Sequence, residues 1–250
     1  TVVVSTPTGL HYEHGIEVLK SGKNLWSEKS LFIDSASRVE FGGVLEKSNL
    51  EVAEMFMFLY HPQFLRLKSL VDSGELGEIF SMTARFCIPH LNEGNIRYDP
   101  SLGGGSLLDA GCYPIASAHA LFGAGSFDVS SNIEHASSIH PVDTYGNALV
   151  KYHDGVSAFL EWGFGMAYAN EIKLRCEMGN VRVNRAFSKP EDLRTYIEVT
   201  DSQGQCNRIE VGPSNHFIEM FDSHCSKSTL DWVIGQSGLM EKIMESGGVS

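Results

Sequence analysis

Thr1-Val2-Val3-Val4-Ser5-Thr6-Pro7-Thr8-Gly9 is the stretch whose reading decides the fold. A short β-branched apolar run is the pattern of a strand buried on both faces. Thr-Pro-Thr-Gly then breaks it. The same punctuation recurs outward from here. A helix fits His11 to Leu19 and ends at Ser21-Gly22, and Asn24 to Ser27 reads as a second strand. Asp34 can cap a helix reaching about Lys47, with Arg38 and Glu40 on its wet side. Glu51 to Leu59 reads as a third strand, and His61-Pro62 opens a helix carrying Phe64, Leu67, Leu70 and Val71 that Gly74 closes. Strands and helices alternating through short connections predict a parallel sheet with right-handed crossovers.

The pattern changes at Ile79. Strand-like stretches follow at 79–88, 127–136, 144–152, 156–163, 171–177, 180–185, 194–200 and 206–211. Several are separated by tight turns such as His153-Asp154-Gly155 and Met178-Gly179-Asn180, so hairpins and a largely antiparallel sheet are expected. One helix, 105–121, interrupts the series, and the tail from His216 to Glu245 is helical in period. The predicted class is α/β. Residues 1–77 form a partial doubly wound parallel-sheet (Rossmann) domain, and residues 78–215 an α+β domain with a large, mainly antiparallel open sheet. Residues 216–250 form a helical tail packing back on the first domain. The domain is called partial because the glycine loop G-x-G-x-x-G of its first half does not precede Thr1. A start inside a buried strand is the mark expected of truncation.

The 250 residues are 42% hydrophobic and 20% charged, enough for a sizeable core. A net charge of −12 disfavours nucleic acid and anionic membrane as partners. Five widely spaced cysteines without a CxxC suggest neither a disulfide framework nor a zinc site, and reduced thiols in a cytoplasmic protein are expected. There is no apolar run long enough to span a membrane and no metal-ligand spacing among the ten histidines.

Chemistry concentrates at two places. Lys29 follows a strand end, and in open α/β sheets the ligand crevice lies outside the carboxyl ends of the strands. It is either a solvated loop lysine or a partly buried ammonium whose pKa is lowered toward acid–base use. Gly103-Gly104-Gly105 precedes an apolar helix and allows close backbone approach to a ligand, or is simply a flexible loop. Asp109 and Tyr113, four apart, share a face of that helix. A buried aspartate needs a partner, and either Asp–Tyr or Asp–Lys pairing would satisfy it. Pro114 implies a helix start near Asp109 or a kink there.

Thr6-Pro7-Thr8-Gly9-Leu10-His11, Gly22-Lys23, Glu28-Lys29, His61-Pro62, Gly74 to Ile79 and Gly103 to Tyr113 come in the order seen in the glucose-fructose oxidoreductase / inositol dehydrogenase (Gfo/Idh/MocA) family, which the chain resembles over nearly its whole length. With tyrosine rather than histidine at position 113, it is similar to the tyrosine branch. The resemblance implies an NAD(P)-dependent dehydrogenase or reductase acting on a hydroxyl or keto group of a sugar, nucleotide-sugar or related polyol. In that reading Tyr113 is the general acid or base, Lys29 lowers its pKa, and Asp109 orients the substrate or the lysine. Thr6, Pro7, His11, Glu28 and Lys29 line the cofactor, and Arg97 joins Asp109 and Tyr113 around the substrate. The open sheet would make a homodimer or homotetramer. Ser30 departs from the family's usual Glu-Lys-Pro. The residue that tells NAD from NADP would lie upstream of Thr1. Two other readings stay open: a non-catalytic sugar-binding or dimerisation module, favoured by the missing glycine loop, and a dihydrodiol-type dehydrogenase.

Overall fold

The computed structural model describes residues 1–32, 35–45, 48–134, 141–227 and 229–248. The expected Asp34 cap, the end of its helix at 46–47 and the last two residues of the predicted strand 127–136 lie outside them.

The first layer is built from β1 (Val2–Val4), α1 (His11–Lys20), β2 (Leu25–Ser27), α2 (Ser35–Leu45), β3 (Val52–Glu54) and α3 (Pro62–Asp72). Its strands pair in parallel in the order β1-β2-β3, with Val2 beside Leu25 and Leu25 beside Val52. Helix α1 buries His11, Gly15, Ile16 and Leu19, one helical face. Ile16 and Leu19 join Val4, Leu25, Phe41 and Val52 in a core on one side of the sheet. Gly15 lets helix and strand close up, since a Cβ there would stand 2.9 Å from Leu25.

Strand β3 is shorter than the sequence suggests. It stops at Glu54, and Met57–Tyr60 coil into a 3-10 turn. Every residue from 52 to 60 is buried, so the apolar run carries neither a strand nor a helix period to separate the two. His61 caps α3, its Nδ1 accepting the Gln63 N–H at 3.0 Å, with Pro62 at the first helical position.

The second layer comprises β4 (Ile79–Ile88), α4 (Cys112–Phe122), β5 (Phe127–Glu134), β6 (Tyr145–Tyr152), β7 (Ser157–Phe164), β8 (Ala169–Cys176), β9 (Gly179–Asn184), β10 (Thr195–Asp201) and β11 (Cys206–Val211). The eight strands run in the order β11-β10-β9-β8-β4-β7-β6-β5. The β4–β7 pair is parallel and the other pairs are antiparallel, as expected of a mainly antiparallel sheet. Helix α4, buried on nearly every side, lies on β4 and β7. The opposite face carries Arg85, Glu161, Glu171, Lys173 and Arg182, joined in ion pairs such as Arg85–Glu161 at 2.7 Å and Lys173–Glu171 at 2.8 Å.

The single helix predicted over 105–121 is two segments. Leu107–Gly111 is a π-helical turn, and α4 follows it. Pro114 then falls in the first turn of α4, where its missing N–H costs least. The tail is likewise two helices, α5 (His216–Asp222) and α6 (Leu230–Ser246), each with its own side-chain cap, Asn215 and Thr229. Helix α6 packs on α4 and β5 and also on α2 and β3, and Glu241 pairs with Arg38 at 2.6 Å. It therefore bridges the two layers.

Candidate active site

The carboxyl ends of β1 and β2 open toward the loop that precedes the π-helical turn. Between them lies a cleft of about 150 Å³ lined by Thr6, Pro7, His11, Glu28, Lys29, Arg97 and Asp109, with Ile96, Leu102, Gly103 and Gly104 at its border. Seven of the eight residues singled out in the sequence meet here. Tyr113 is the exception and sits behind Lys29.

The glycines serve this joint differently from the expectation. Gly103 (φ +72) lies against the backbone of Gly9, where a Cβ on either residue would collide with the other's main chain. A Cβ on Gly104 would come within 2.7 Å of the Arg97 and Asp99 carbonyls. The triplet's close approach is thus to the chain itself. The π-helical turn is held at its start by Asp143, whose Oδ2 accepts from Ser106 Oγ at 2.6 Å and from the Leu107 N–H at 2.7 Å. A π turn inside a helix often marks a functional site. This one aims Asp109 at the strand ends.

Lys29 Nζ donates to Asp109 Oδ1 at 2.9 Å and to the Asp109 carbonyl at 2.8 Å. Arg97 Nε donates to Asp109 Oδ2 at 2.6 Å. Of the two partners left open for Asp109, the lysine is the one found. The Lys29–Ser30 peptide bond is cis. Burial alone would raise the Asp109 pKa, but Lys29 and Arg97 outweigh it and hold the carboxyl below the usual carboxylate range. The expected lowering of the Lys29 pKa does not occur. Burial works against the ammonium, yet Cys112, Tyr113 and Asp109 together raise it above an ordinary lysine. Of these, Asp109 alone is charged at neutral pH, since burial pushes the Cys112 thiol up to about 12 and the Tyr113 phenol higher still.

Tyr113 stands in an aromatic nest, its ring centroid 5.1 Å from that of Phe86, 5.8 Å from Phe187 and 5.9 Å from Phe56. The Lys29 ammonium lies 5.1 Å from the Tyr113 ring centre, a cation–π contact. The phenol hydroxyl donates to Met57 Sδ at 3.7 Å. Lys29 does pull the Tyr113 pKa down, as expected, but burial is the larger effect and the net shift is upward.

Both ring nitrogens of His11 face backbone carbonyls, Nδ1 that of Ser30 at 3.0 Å and Nε2 that of Thr6 at 2.7 Å. Burial raises the Glu28 pKa against the pull of Lys29. Sequence reasoning missed two residues. Glu54, 4% exposed at the end of β3, accepts the Leu31 N–H on Oε1 at 2.8 Å, and burial pushes its pKa up to about 7. Its strand-end position is the signal that picked out Lys29 and could have found it. Asp143 carries no comparable signal. Among the described residues no group of three His, Cys, Asp or Glu could hold a metal ion, and no helix is long and apolar enough to cross a membrane.

The buried histidines make the fold acid-sensitive. Burial lowers His61 to about 3 and His119 and His216 to about 4. Below pH 6.5 the unfolded chain binds protons that these rings refuse, so the stability they confer is complete above 6.5 and falls toward pH 4 for His119 and His216 and toward pH 3 for His61. Each is expected to cost on the order of 2 kcal/mol at pH 5. Glu54, raised in the folded state, works the other way over the same range and offsets about one of the three. The melting temperature should fall between pH 7 and pH 5. A flat profile would contradict the burial assigned to these rings.

Fold and site together define a two-layer α/β protein with a cleft at the joint of its layers where Lys29 and Arg97 meet Asp109. The chain belongs to the Gfo/Idh/MocA family. A profile of the GFO/IDH/MocA C-terminal domain matches residues 64–182. The dTDP-3,4-didehydro-2,6-dideoxy-α-D-glucose 3-reductase of Actinomadura kijaniata is 36% identical over 198 residues, 79% of this chain and 59% of that protein. D-xylose 1-dehydrogenase (NADP+) 2 of Haloferax volcanii is 28% identical over 75% of this chain and 57% of its own length. This chain thus spans less than two thirds of either relative. A crystal structure of a 3-ketoreductase from Actinomadura kijaniata with NADP and TDP-benzene superposes with a TM-score of 0.90 at 29% identity, covering 98% of this chain and 78% of the other. That reductase has also been solved with the same two ligands as a tyrosine-to-phenylalanine and as a lysine-to-alanine variant, at positions eighty-four residues apart.

Proposed function

We propose that this chain provides the substrate cleft of an NADP-dependent oxidoreductase that interconverts a keto group and a hydroxyl on a nucleotide-linked sugar. The observation that carries the reading is the state of Lys29. An ammonium has three hydrogens, and two are given to Asp109. The third is left for a substrate oxygen in the cleft. Lys29 and Tyr113 are eighty-four residues apart, the same spacing as the lysine and tyrosine varied in the solved 3-ketoreductase.

The residues present fit a nicotinamide cofactor. Thr6, Pro7 and His11 form a wall with little free hydrogen-bonding capacity, because the His11 nitrogens are taken up by carbonyls. Such a wall suits a flat ring. Glu28 and Lys29 stand at its edge. The chemistry the cofactor supplies when bound is a hydride given to, or taken from, the reacting sugar carbon. Lys29 places a fixed positive charge where negative charge develops on the sugar oxygen. Tyr113 gives that oxygen its proton, and because a thioether is a weak acceptor the hydroxyl gives up little in turning from Met57 to a stronger one. Asp109 holds Lys29 in place. Arg97 binds Asp109 through Nε and keeps its remaining guanidinium N–H groups for a phosphate or sugar oxygen.

Following NADPH absorbance with a dTDP-linked 3-ketosugar should show turnover, with NADH much poorer. In a protein that carries this chain together with a cofactor-binding glycine loop, no consumption of either nucleotide at saturating ketosugar would remove the reading. The charged open face around Arg85 and Glu171, with Phe80 and Phe159 half exposed beside it, is read here as the surface through which copies pair. A monomeric mass by light scattering would refute that.

A further inference from the structure

Strand β2 ends at Ser27, and the last backbone–backbone hydrogen bond before Lys29 is from the Glu28 N–H to the Val4 carbonyl at 2.8 Å. Among the described residues no backbone–backbone hydrogen bond holds Lys29, Ser30 or Leu31. The segment that carries the lysine is therefore steered by side chains. Two of them converge on one peptide unit. His11 Nδ1 faces the Ser30 carbonyl at 3.0 Å, and Glu54 Oε1 accepts the Leu31 N–H at 2.8 Å. These are the oxygen and the hydrogen of the same amide plane. The residues come from opposite flanks, His11 from the first turn of α1 and Glu54 from the end of β3, and they are 1% and 4% exposed.

We infer that Glu54 and His11 are positioning residues that fix the Ser30–Leu31 amide plane and thereby aim Lys29 at Asp109. With the His11 ring proton on Nδ1, the plane is held at both polar atoms and cannot rotate without breaking a buried hydrogen bond, and a buried carboxyl left without its donor is costly. A plane freed at one end can turn, and Lys29, the residue before it, is then free to shift with it. The inference rests on the role proposed for Lys29, but its principal test does not need activity.

Trace acetylation of the folded protein, read by mass spectrometry at Lys29 against the exposed Lys20 as internal control, reports how firmly the ammonium is held. Glu54→Leu should raise the relative Lys29 rate about tenfold, the loss of one hydrogen bond of this kind. His11→Ala should act similarly. Glu54→Gln keeps an acceptor oxygen and should stay within about twofold of the parent. In the NADPH assay, Glu54→Leu should lower kcat in the Lys29 background and add nothing once Lys29 is alanine. An unchanged Lys29 rate in Glu54→Leu, or in His11→Ala should the leucine variant not fold, overturns the inference. So does a further loss of kcat when Glu54→Leu is added to Lys29→Ala. Full turnover by Lys29→Ala would instead remove the catalytic reading, while the acetylation rates would still decide whether Glu54 and His11 aim the lysine.

Discussion

Alanine in place of Lys29 is expected to lower kcat about a thousandfold, the scale seen when one donor to a developing oxyanion is removed. The change deletes the donor and the charge together. It also leaves Asp109 with Arg97 as its remaining cationic partner, so the substituted site keeps a half-buried carboxylate that has lost one of its two cations. Arginine is no rescue, because a planar fork cannot reproduce a point charge that touches both the side chain and the carbonyl of Asp109. Steady-state kinetics with saturating NADPH and ketosugar measure the effect. A variant that keeps more than about a tenth of the parent rate would mean that Lys29 is a structural tie to Asp109 and that the reacting oxygen lies elsewhere.

Phenylalanine at position 113 is expected to cost about a hundredfold in kcat with little change in melting temperature. The two expectations separate because of where the hydroxyl sits. Its hydrogen bond is the long one to Met57 sulfur, so its loss costs the fold less than about 1 kcal/mol. The aromatic nest around it stays filled, since the ring is kept. A structural tyrosine would show the reverse pattern, an unchanged rate and a lowered melting point, and that result would end the proton-donor assignment.

What was legible in the sequence follows from which signals are local. Lys29 could be found because strand ends in a parallel sheet share one side, and Asp109 because a carboxylate in an apolar helix demands a partner. The joining of these two across eighty residues is the fold's doing. Glu54 obeys the same strand-end rule as Lys29, but the apolar run after it hid the end of its strand. The break between Leu107–Gly111 and α4 was visible only as an awkward proline at 114. Nothing local says that the turn before it is π-helical, because Asp143, which holds it, arrives from the loop before β6. The parallel β4–β7 pair was hidden for a related reason. Hairpin turns announce the antiparallel neighbours, whereas β4 finds β7 only after α4 and two strands have been placed.

The Gly9–Gly103 contact has a consequence for how such a cleft diversifies. The two walls meet main chain to main chain, with no side chain between them to lengthen or trim. The gap between the strand ends and the Arg97 loop is therefore a constant that point substitution at the joint can only wreck. New substrates must be accommodated at the rim, where Ile96, half exposed, and Leu102 present side chains free to change in size and polarity. A collection of sequence variants selected for altered substrate range should accordingly accumulate changes at 96 and 102 and leave 9 and 103 untouched.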